Sequence, residues 1–446
     1  MHTSVTKWRF GGRFGLRPGL CEDRNMPRLR RVVLTVLSGA LLASLVSAPI
    51  ATAKPSAQPG APIAKGTVIP ASLFGMHVYN AEQGNWPNVP VGSLRLWDNQ
   101  TAWANIETTQ GAFNWTALDT SVATAKKNGV NDILMVLAGT PAWATDDSSP
   151  TALPVPGAAG MPRNLAWWDN WVTQVVTRYK GKITSYQPWN EANLSTFSTA
   201  TPDEMADLTK RAYDIIKAID PAATVVAPST GTRLGGPFMK FYPAFLAGLK
   251  ARGWPVDVWA AHTYPASLGT PVDRAGLAAK WIAVLRSSGA PNLPLWDTEN
   301  NFGLKGPGPL NPDVDLEGAK AGDWVARTYL DSLRLGISRV YWYRWEPYND
   351  LWGIQMNTGT PGAEAFGTLQ DWIVGATYRG CTQKAAQVNC SFTKAGKAFS
   401  IVYTSNGRIA NFKLPRSFAK VCELNGVCTP LNANKVRTNG PVLLTS

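Results

Sequence analysis

The chain has 446 residues, 45% hydrophobic and 16% charged, enough apolar material to bury one large core plus a small extra domain, which excludes a disordered protein. Its formal charge of +13 is weighted to the start: residues 1–53 hold eight Lys or Arg against Glu22 and Asp23, so +7 remains beyond them. No dense basic cluster survives in that remainder, so nucleic acid is not an expected partner, and the excess charge reads as a solvated surface ahead of the alternative, a mild attraction to anionic wall polymers.

The first segment reads as an address. Arg28, Arg30 and Arg31 precede the apolar run 32–46, and Ala51-Thr52-Ala53 offers small residues for cleavage, the layout of a secretory signal peptide. Residues 1–25 fit that layout poorly while Met26 stands directly before the basic stretch, so Met26 is the expected translation start and Lys54 the expected start of the mature chain. The alternative is a membrane anchor, but the run is short for the roughly 20 residues of a span. No later segment is comparably apolar, so no stable membrane insertion is expected after cleavage and the chain is expected outside the cell or at the cell wall.

A Pro-rich linker over 54–70 leads into a strand-then-helix rhythm. Candidate strands fall at 73–79, 93–97, 132–138, 183–189, 224–227, 256–262, 293–298 and 339–343. The first connection, 80–92, contains Pro87 and Pro90, so no full helix is expected there. Ahead of the fourth strand, Trp168, Trp171, Val172, Val175, Val176 and Tyr179 recur at helical spacing and predict a core-facing helix. Thr201-Pro202-Asp203-Glu204 reads as a capping box with Pro at the first helical position, opening a helix that turns Met205, Leu208, Ala212, Ile215, Ile216 and Ile219 inward. Further helices are expected over 237–251, 273–287, 317–335 and 363–373. Eight such repeats over residues 71–375 predict an α/β protein built on a (β/α)8 TIM barrel.

From about 376 to 446 the pattern changes to short alternating runs. Asn406-Gly407 between 398–403 and 409–412 predicts a hairpin in a small antiparallel β-domain. Cys381, Cys390, Cys422 and Cys428 all lie here, an even number that suits an oxidising compartment. Of three possible pairings, proximity favours Cys381 with Cys390 and Cys422 with Cys428. Zinc is the alternative, but the spacings are not Cys-x-x-Cys and no His lies nearby.

Two carboxylates end strand-like runs: Glu191 closes Ile183 to Glu191, and Glu299 closes Leu295 to Glu299, with Asn193 and Gly303 just beyond. In one parallel barrel, ends of strands four and seven meet at the C-terminal rim, where such barrels place their chemistry. Cleaving a bond between sugars needs one carboxyl that gives a proton to the leaving oxygen and another that attacks the anomeric carbon, and carboxyls about 5–5.5 Å apart give the retaining reaction. The roles require Glu191 to hold a proton and Glu299 to lack one, so Glu191 is expected to carry the raised pKa. His77 and His262 are the histidines beyond the leader, and no His-x-His or His-Glu-x-x-His spacing exists, so neither metal nor cofactor is expected. Trp97, Trp103, Trp143, Trp189, Trp345 and Trp352 fall in or near the rim loops, where flat rings can either stack on sugars or pack in the core.

Trp189-Asn190-Glu191 and Trp296-Asp297-Thr298-Glu299 resemble the acid/base and nucleophile motifs of the clan A glycoside hydrolases, retaining enzymes on (β/α)8 barrels. The resemblance extends through Phe74-Gly-Met-His77, Ser93-Leu-Arg-Leu-Trp97, His262-Thr-Tyr264 and Trp342-Tyr-Arg-Trp345, and is most similar to glycoside hydrolase family 39 and its relatives, which also append a β-domain. It implies Glu191 as acid/base, Glu299 as nucleophile and Asn190 on the sugar 2-hydroxyl. It further implies that Arg95 and Tyr264 orient Glu299, while His77, His262 and Trp345 line the subsite being cleaved. Asp297 departs from relatives that often carry a neutral residue there. By alternation it points the same way as Glu299, either pairing with a buried cation or raising its neighbour's pKa.

The expected function is that of a secreted, monomeric, retaining β-glycosidase acting on a plant or microbial wall oligo- or polysaccharide, with long rim loops 140–162 and 300–315 favouring endo action. The rivals are a barrel that binds glycans without cutting them, since a fold never guarantees activity, and a transglycosylase using the same two glutamates.

Overall fold

A computed structural model describes residues 58–151, 153–303, 315–346 and 353–446. The expected signal peptide, the expected start at Met26, Trp352 and most of the 300–315 loop lie outside the described residues.

Counting barrel strands only, β1 (Phe74–Val78), β2 (Ser93–Leu96), β3 (Ile133–Val136), β4 (Ser185–Gln187), β5 (Thr224–Val225), β6 (Trp259–His262), β7 (Leu295–Asn300) and β8 (Ile337–Trp345) form one parallel sheet in the order β5-β4-β3-β2-β1-β8-β7-β6. Single parallel bridges, Val226 to Val258 and Gly231 to His262, join the two edges, so the sheet curls into a (β/α)8 barrel. Runs such as Phe-Gly-Met-His-Val and Ile-Leu-Met-Val are buried throughout, as strands covered on both faces must be.

The covering layer is α1 (Thr116–Lys127), α2 (Leu165–Tyr179), α3 (Pro202–Ile219), α4 (Gly235–Ala251), α5 (Pro271–Ser287), α6 (Gly318–Leu335) and α7 (Pro361–Ile373). The first connection holds only a 3-10 turn, Ala81–Gln83. Thr201 caps α3 as its sequence predicts: its hydroxyl accepts from the Glu204 N–H at 3.3 Å, and the Glu204 carboxylate accepts from the Thr201 N–H at 2.8 Å. Such a cap contributes about 1 kcal/mol. Trp168 and Trp171 on α2 are fully buried. Among the described residues, no helix is long and apolar enough to cross a membrane.

After α7 the chain becomes antiparallel: β9 (Thr377–Lys384), β10 (Gln387–Lys394), β11 (Lys397–Thr404), β12 (Ala410–Lys413), β13 (Lys420–Cys422), β14 (Cys428–Pro430), β15 (Lys435–Thr438) and β16 (Val442–Thr445). Six of them order as β9-β10-β11-β16-β13-β14, and β12 pairs with β15. This corrects the hairpin expected at Asn406-Gly407. Both edges of β11 are already occupied, by β10 and β16, so the chain turns at Asn406-Gly407 and crosses to another sheet. The tight hairpin lies one strand earlier at Ala395-Gly396, both with positive φ (49° and 77°), as a two-residue turn of this kind requires. Disulfides join Cys381 to Cys390 and Cys422 to Cys428, in each case direct cross-strand neighbours.

The residues ahead of β1 are hydrogen-bonded. Val68 bridges Thr377, the Ile69 N–H donates to the Ala376 carbonyl at 2.9 Å, and the Tyr378 N–H donates to the Thr67 carbonyl at 2.8 Å. The lead-in to the barrel thus runs beside the first strand of the last sheet.

Candidate active site

The centre of the barrel mouth is Arg95. Its position within β2 points it inward, where it is fully buried. An isolated buried guanidinium would be costly, and its donors are matched accordingly. Nη1 donates to Glu299 Oε1 at 2.6 Å, Nη2 donates to Asn190 Oδ1 at 2.8 Å and to Gln187 Oε1 at 2.7 Å, and Nε donates to Gln187 Oε1 at 3.1 Å. One side chain thereby fixes the nucleophile candidate on β7 against two residues at the end of β4.

Glu299 receives a second donor, the Tyr264 hydroxyl at 3.0 Å on Oε2. His262, at the end of β6, places Nδ1 3.1 Å from Glu191 Oε1 and 3.5 Å from Glu299 Oε2. Two contacts to one nitrogen bound those oxygens to within about 7 Å of each other, so carboxylates 108 positions apart in the chain meet over one pocket. Burial lowers the His262 pKa to about 4, so the ring is neutral near pH 7 and its Nδ1–H is available to the carboxylates.

The local backbone also aims Glu191. It has a positive φ of 42°, sparsely populated for a residue with a side chain, and its N–H donates to Ser229 Oγ at 3.0 Å. Asn193 braces the same turn: its amide donates to the Gly231 carbonyl and its carbonyl oxygen accepts from the Gly231 N–H, both at 2.9 Å. A Cβ on Gly231 would lie 2.9 Å from Glu191 Oε1, so glycine there leaves room for the carboxylate.

Burial raises the Glu191 pKa to about 7, opposed by the charges of Arg233 and Arg95. Burial also raises Glu299, against the pull of His262 and Arg95. Sequence reasoning expected Glu191 to be the raised one; both are raised, and the direct ion pair with Arg95 belongs to Glu299.

Asp297 corrects the alternation argument. Its carboxylate turns toward the helices, accepting from Arg274 Nη2 of α5 at 2.7 Å, from the Thr263 N–H at 3.1 Å and from the Thr263 hydroxyl. The register between β6 and β7 slips at this point, Ala261 opposing Asp297 and the next residue, His262, opposing Glu299. That bulge breaks the period of two and puts the two acids in different environments. Asp297 therefore pairs with a buried cation and does not crowd Glu299.

An open cavity of about 500 Å³ covers this constellation, with Asn190, Glu191, His262, Tyr264 and Glu299 in its wall. His77 and Trp345, expected on the wall, are absent from it. His77 is buried below, its Nε2 3.1 Å from the Thr298 carbonyl and 3.3 Å from Arg95. Trp345 packs in the core, opposite Val78 and Met356, and the wall position on β8 belongs to Tyr343. Of the rim tryptophans described, Trp97 lines the cavity beside Phe197, while Trp103 and Trp189 are buried. Sequence reasoning missed Gln187, Tyr343 and Arg233. Gln187 lies four residues before Glu191 on the strand-four run, and Tyr343 stands inside the quoted Trp342 to Trp345 motif, so period-two alternation could have found both. Among the described residues, no three His, Cys, Asp or Glu side chains gather as a metal site would require.

Residues 93–257 match the model of Glycosyl hydrolase family 10. No curated protein sequence matches the chain. Solved structures share its fold: a family 39 glycoside hydrolase from Bacteroides cellulosilyticus WH2 at 17% identity, covering 85% of this chain and 82% of that one with a TM-score of 0.62. A family 39 β-xylosidase from Caulobacter crescentus superimposes at 15% identity, 86% and 98% coverage and TM-score 0.58. A family 30 endoxylanase from Clostridium papyrosolvens C71 does so at 14% identity, 87% and 98% coverage and TM-score 0.56. The matched segment carries the Trp189-Asn190-Glu191 motif and the barrel is the fold these neighbours share, so the chain is similar to the clan A glycoside hydrolases in both.

Proposed function

We propose that the chain is a secreted, retaining β-glycosidase that cuts within a plant or microbial wall polysaccharide. The observation that carries this reading is the single His262 nitrogen in reach of both Glu191 and Glu299. A spacing bounded below about 7 Å favours the short separation of retaining enzymes over the roughly 6.5–9.5 Å that leaves room for an attacking water.

In this mechanism Glu299, held by Arg95 and Tyr264, attacks the anomeric carbon while Glu191 gives its proton to the departing oxygen. The bond to the leaving sugar breaks and a glycosyl ester on Glu299 forms. Glu191, now ionised, takes a proton from water, which opens the ester and regenerates both groups. A Glu191 pKa near 7 suits this double duty, because the group is protonated at the first step and basic enough at the second. Asn190, fixed by Arg95, is the residue assigned to the sugar 2-hydroxyl, and Trp97 offers a face for stacking.

Endo action is supported by a second hollow of about 1080 Å³ that adjoins the first, the two sharing Leu194 and Leu234. Export is supported by the two disulfides and the signal-like leader. Proton NMR of the first product tests the stereochemistry. We expect the β anomer to appear before mutarotation, together with covalent labelling of Glu299 by a fluorinated glycoside. An α anomer released first would overturn the retaining assignment.

A further inference from the structure

Arg233 differs from the other cations at the mouth. Arg95 is committed to Glu299, Asn190 and Gln187, and Arg344 to Asp98. Arg233, on the loop after β5, is half-buried in the cavity wall and makes no hydrogen bond or ion pair with any described residue. A guanidinium offers five donors in a planar fork, and none of those of Arg233 is taken up by the described protein.

Its charge also opposes the chemistry of the empty site. Arg233 is the foremost of the charges that hold down the Glu191 pKa, and so works against the proton the acid must keep. A residue that disfavours the protonated acid in the free protein gains a purpose when an anion arrives. The other acids of the wall are unavailable as partners: Asp98 is bound to Arg344 and Tyr343, and Glu299 to Arg95 and Tyr264. Leu194 and Leu234 flank it in the same wall.

We infer that Arg233 receives a carboxylate of the glycan, making this a site for chains that carry hexuronic acid residues. The planar fork matches a carboxylate in two parallel hydrogen bonds, a geometry no sugar hydroxyl reproduces. Binding would neutralise Arg233 and lift its pull on Glu191, so an acidic chain both docks and helps to load the proton. The inference rests on the glycosidase reading for its meaning.

The test uses the purified chain and matched β-linked polymers, glucuronoxylan and β-1,4-polyglucuronate, each beside its carboxyl-reduced form. The expected result is that kcat/KM favours the acidic member of at least one pair by roughly 10- to 100-fold, the range for a hydrogen bond to a charged group. Arg233→Ala should erase that preference and Arg233→Lys should keep part of it. Melting curves of both variants should match the parent, because Arg233 has no partner in the described protein to lose. Binding of the same polymers to the Glu299→Gln protein, followed by tryptophan fluorescence, gives a readout independent of cleavage. No acidic preference in either pair, by turnover or by binding, overturns the inference, as does an equal loss on both members in Arg233→Ala. Failure to cleave any polymer, with an Arg233-dependent preference in binding retained, overturns the glycosidase reading and leaves the acidic site standing.

Discussion

Two levels of one barrel are built from the same strands to opposite ends. In mid-barrel the interior is an apolar plug of Leu134, Val226, Val258, Ala260, Trp296 and Tyr341. A residue or two further along, the interior is Arg95, Gln187, His262 and Glu299, each within reach of another of the set. The plug excludes water from below and makes every charge above it expensive unless paired. The result is a layer whose partners are fixed before any substrate enters. β7 displays the contrast in four residues, with Trp296 in the plug, Asp297 turned out to Arg274 and Glu299 in the mouth.

The largest effect expected from disturbing this arrangement is chemical. Glu299→Gln should lower kcat by roughly 10⁴-fold or more, as removal of a covalent nucleophile does, with the melting temperature unchanged or higher. Activity near the parent level on an identified substrate would reject Glu299 as the nucleophile. Its strand neighbour should behave in reverse: Asp297→Ala leaves Arg274 buried and unpaired, and urea unfolding should show a loss of about 3–5 kcal/mol. A stable Asp297→Ala protein would mean that the two levels are less distinct than their contacts imply.

A smaller effect follows from Glu191. Because its folded pKa of about 7 lies above the unfolded value near 4.5, the unfolded state releases the proton first and the ionised form weighs against folding. Glu191→Gln should therefore stabilise the chain, fully above pH 7 and not at all below about 4.5, by at most about 3 kcal/mol. In the parent, kcat/KM should decline above about pH 7 as Glu191 loses its proton, and on the acid side as Glu299 gains one. A gain in Glu191→Gln that is flat with pH would deny the burial cost. The smallest effect is steric. Gly231→Ala should displace the Glu191 carboxylate by a few tenths of an ångström and slow turnover about tenfold, short of the hundredfold that a full ångström can cost. Unchanged kinetics in that variant would show that the turn yields freely.

The sequence made the barrel readable because its strands are apolar runs bounded by helix signals, of which Thr201 to Glu204 is the clearest. Glu191 and Glu299 were legible because each ends such a run. One misreading shows that alternation holds only while register holds. The bulge on β7 turned Asp297 away from Glu299, whereas Trp345 was placed on the wall by the resemblance and the position belongs to Tyr343. α1, with only Leu118, Val122 and Ala125 as apolar buried positions, gave too faint a stripe to register. Asn406-Gly407 carried a true turn signal, yet strand pairing beyond it was decided by which edges of β11 were free, a long-range fact. Arg233 left no trace at all, since a lone arginine in a loop means nothing until the cavity around it is known.

The lead-in beside β9 bears on how the molecule comes apart. Thr67 and Ile69 sit just before the opening barrel strand, and Ala376 and Tyr378 just after the closing helix, so hydrogen bonds between them tether the barrel's beginning to its end. Trimming the chain at residue 375 would cut this clasp and strand the Ile69 amide without its acceptor. The terminal sheet is accordingly part of the barrel's foundation, and the two are bound to unfold together rather than in turn.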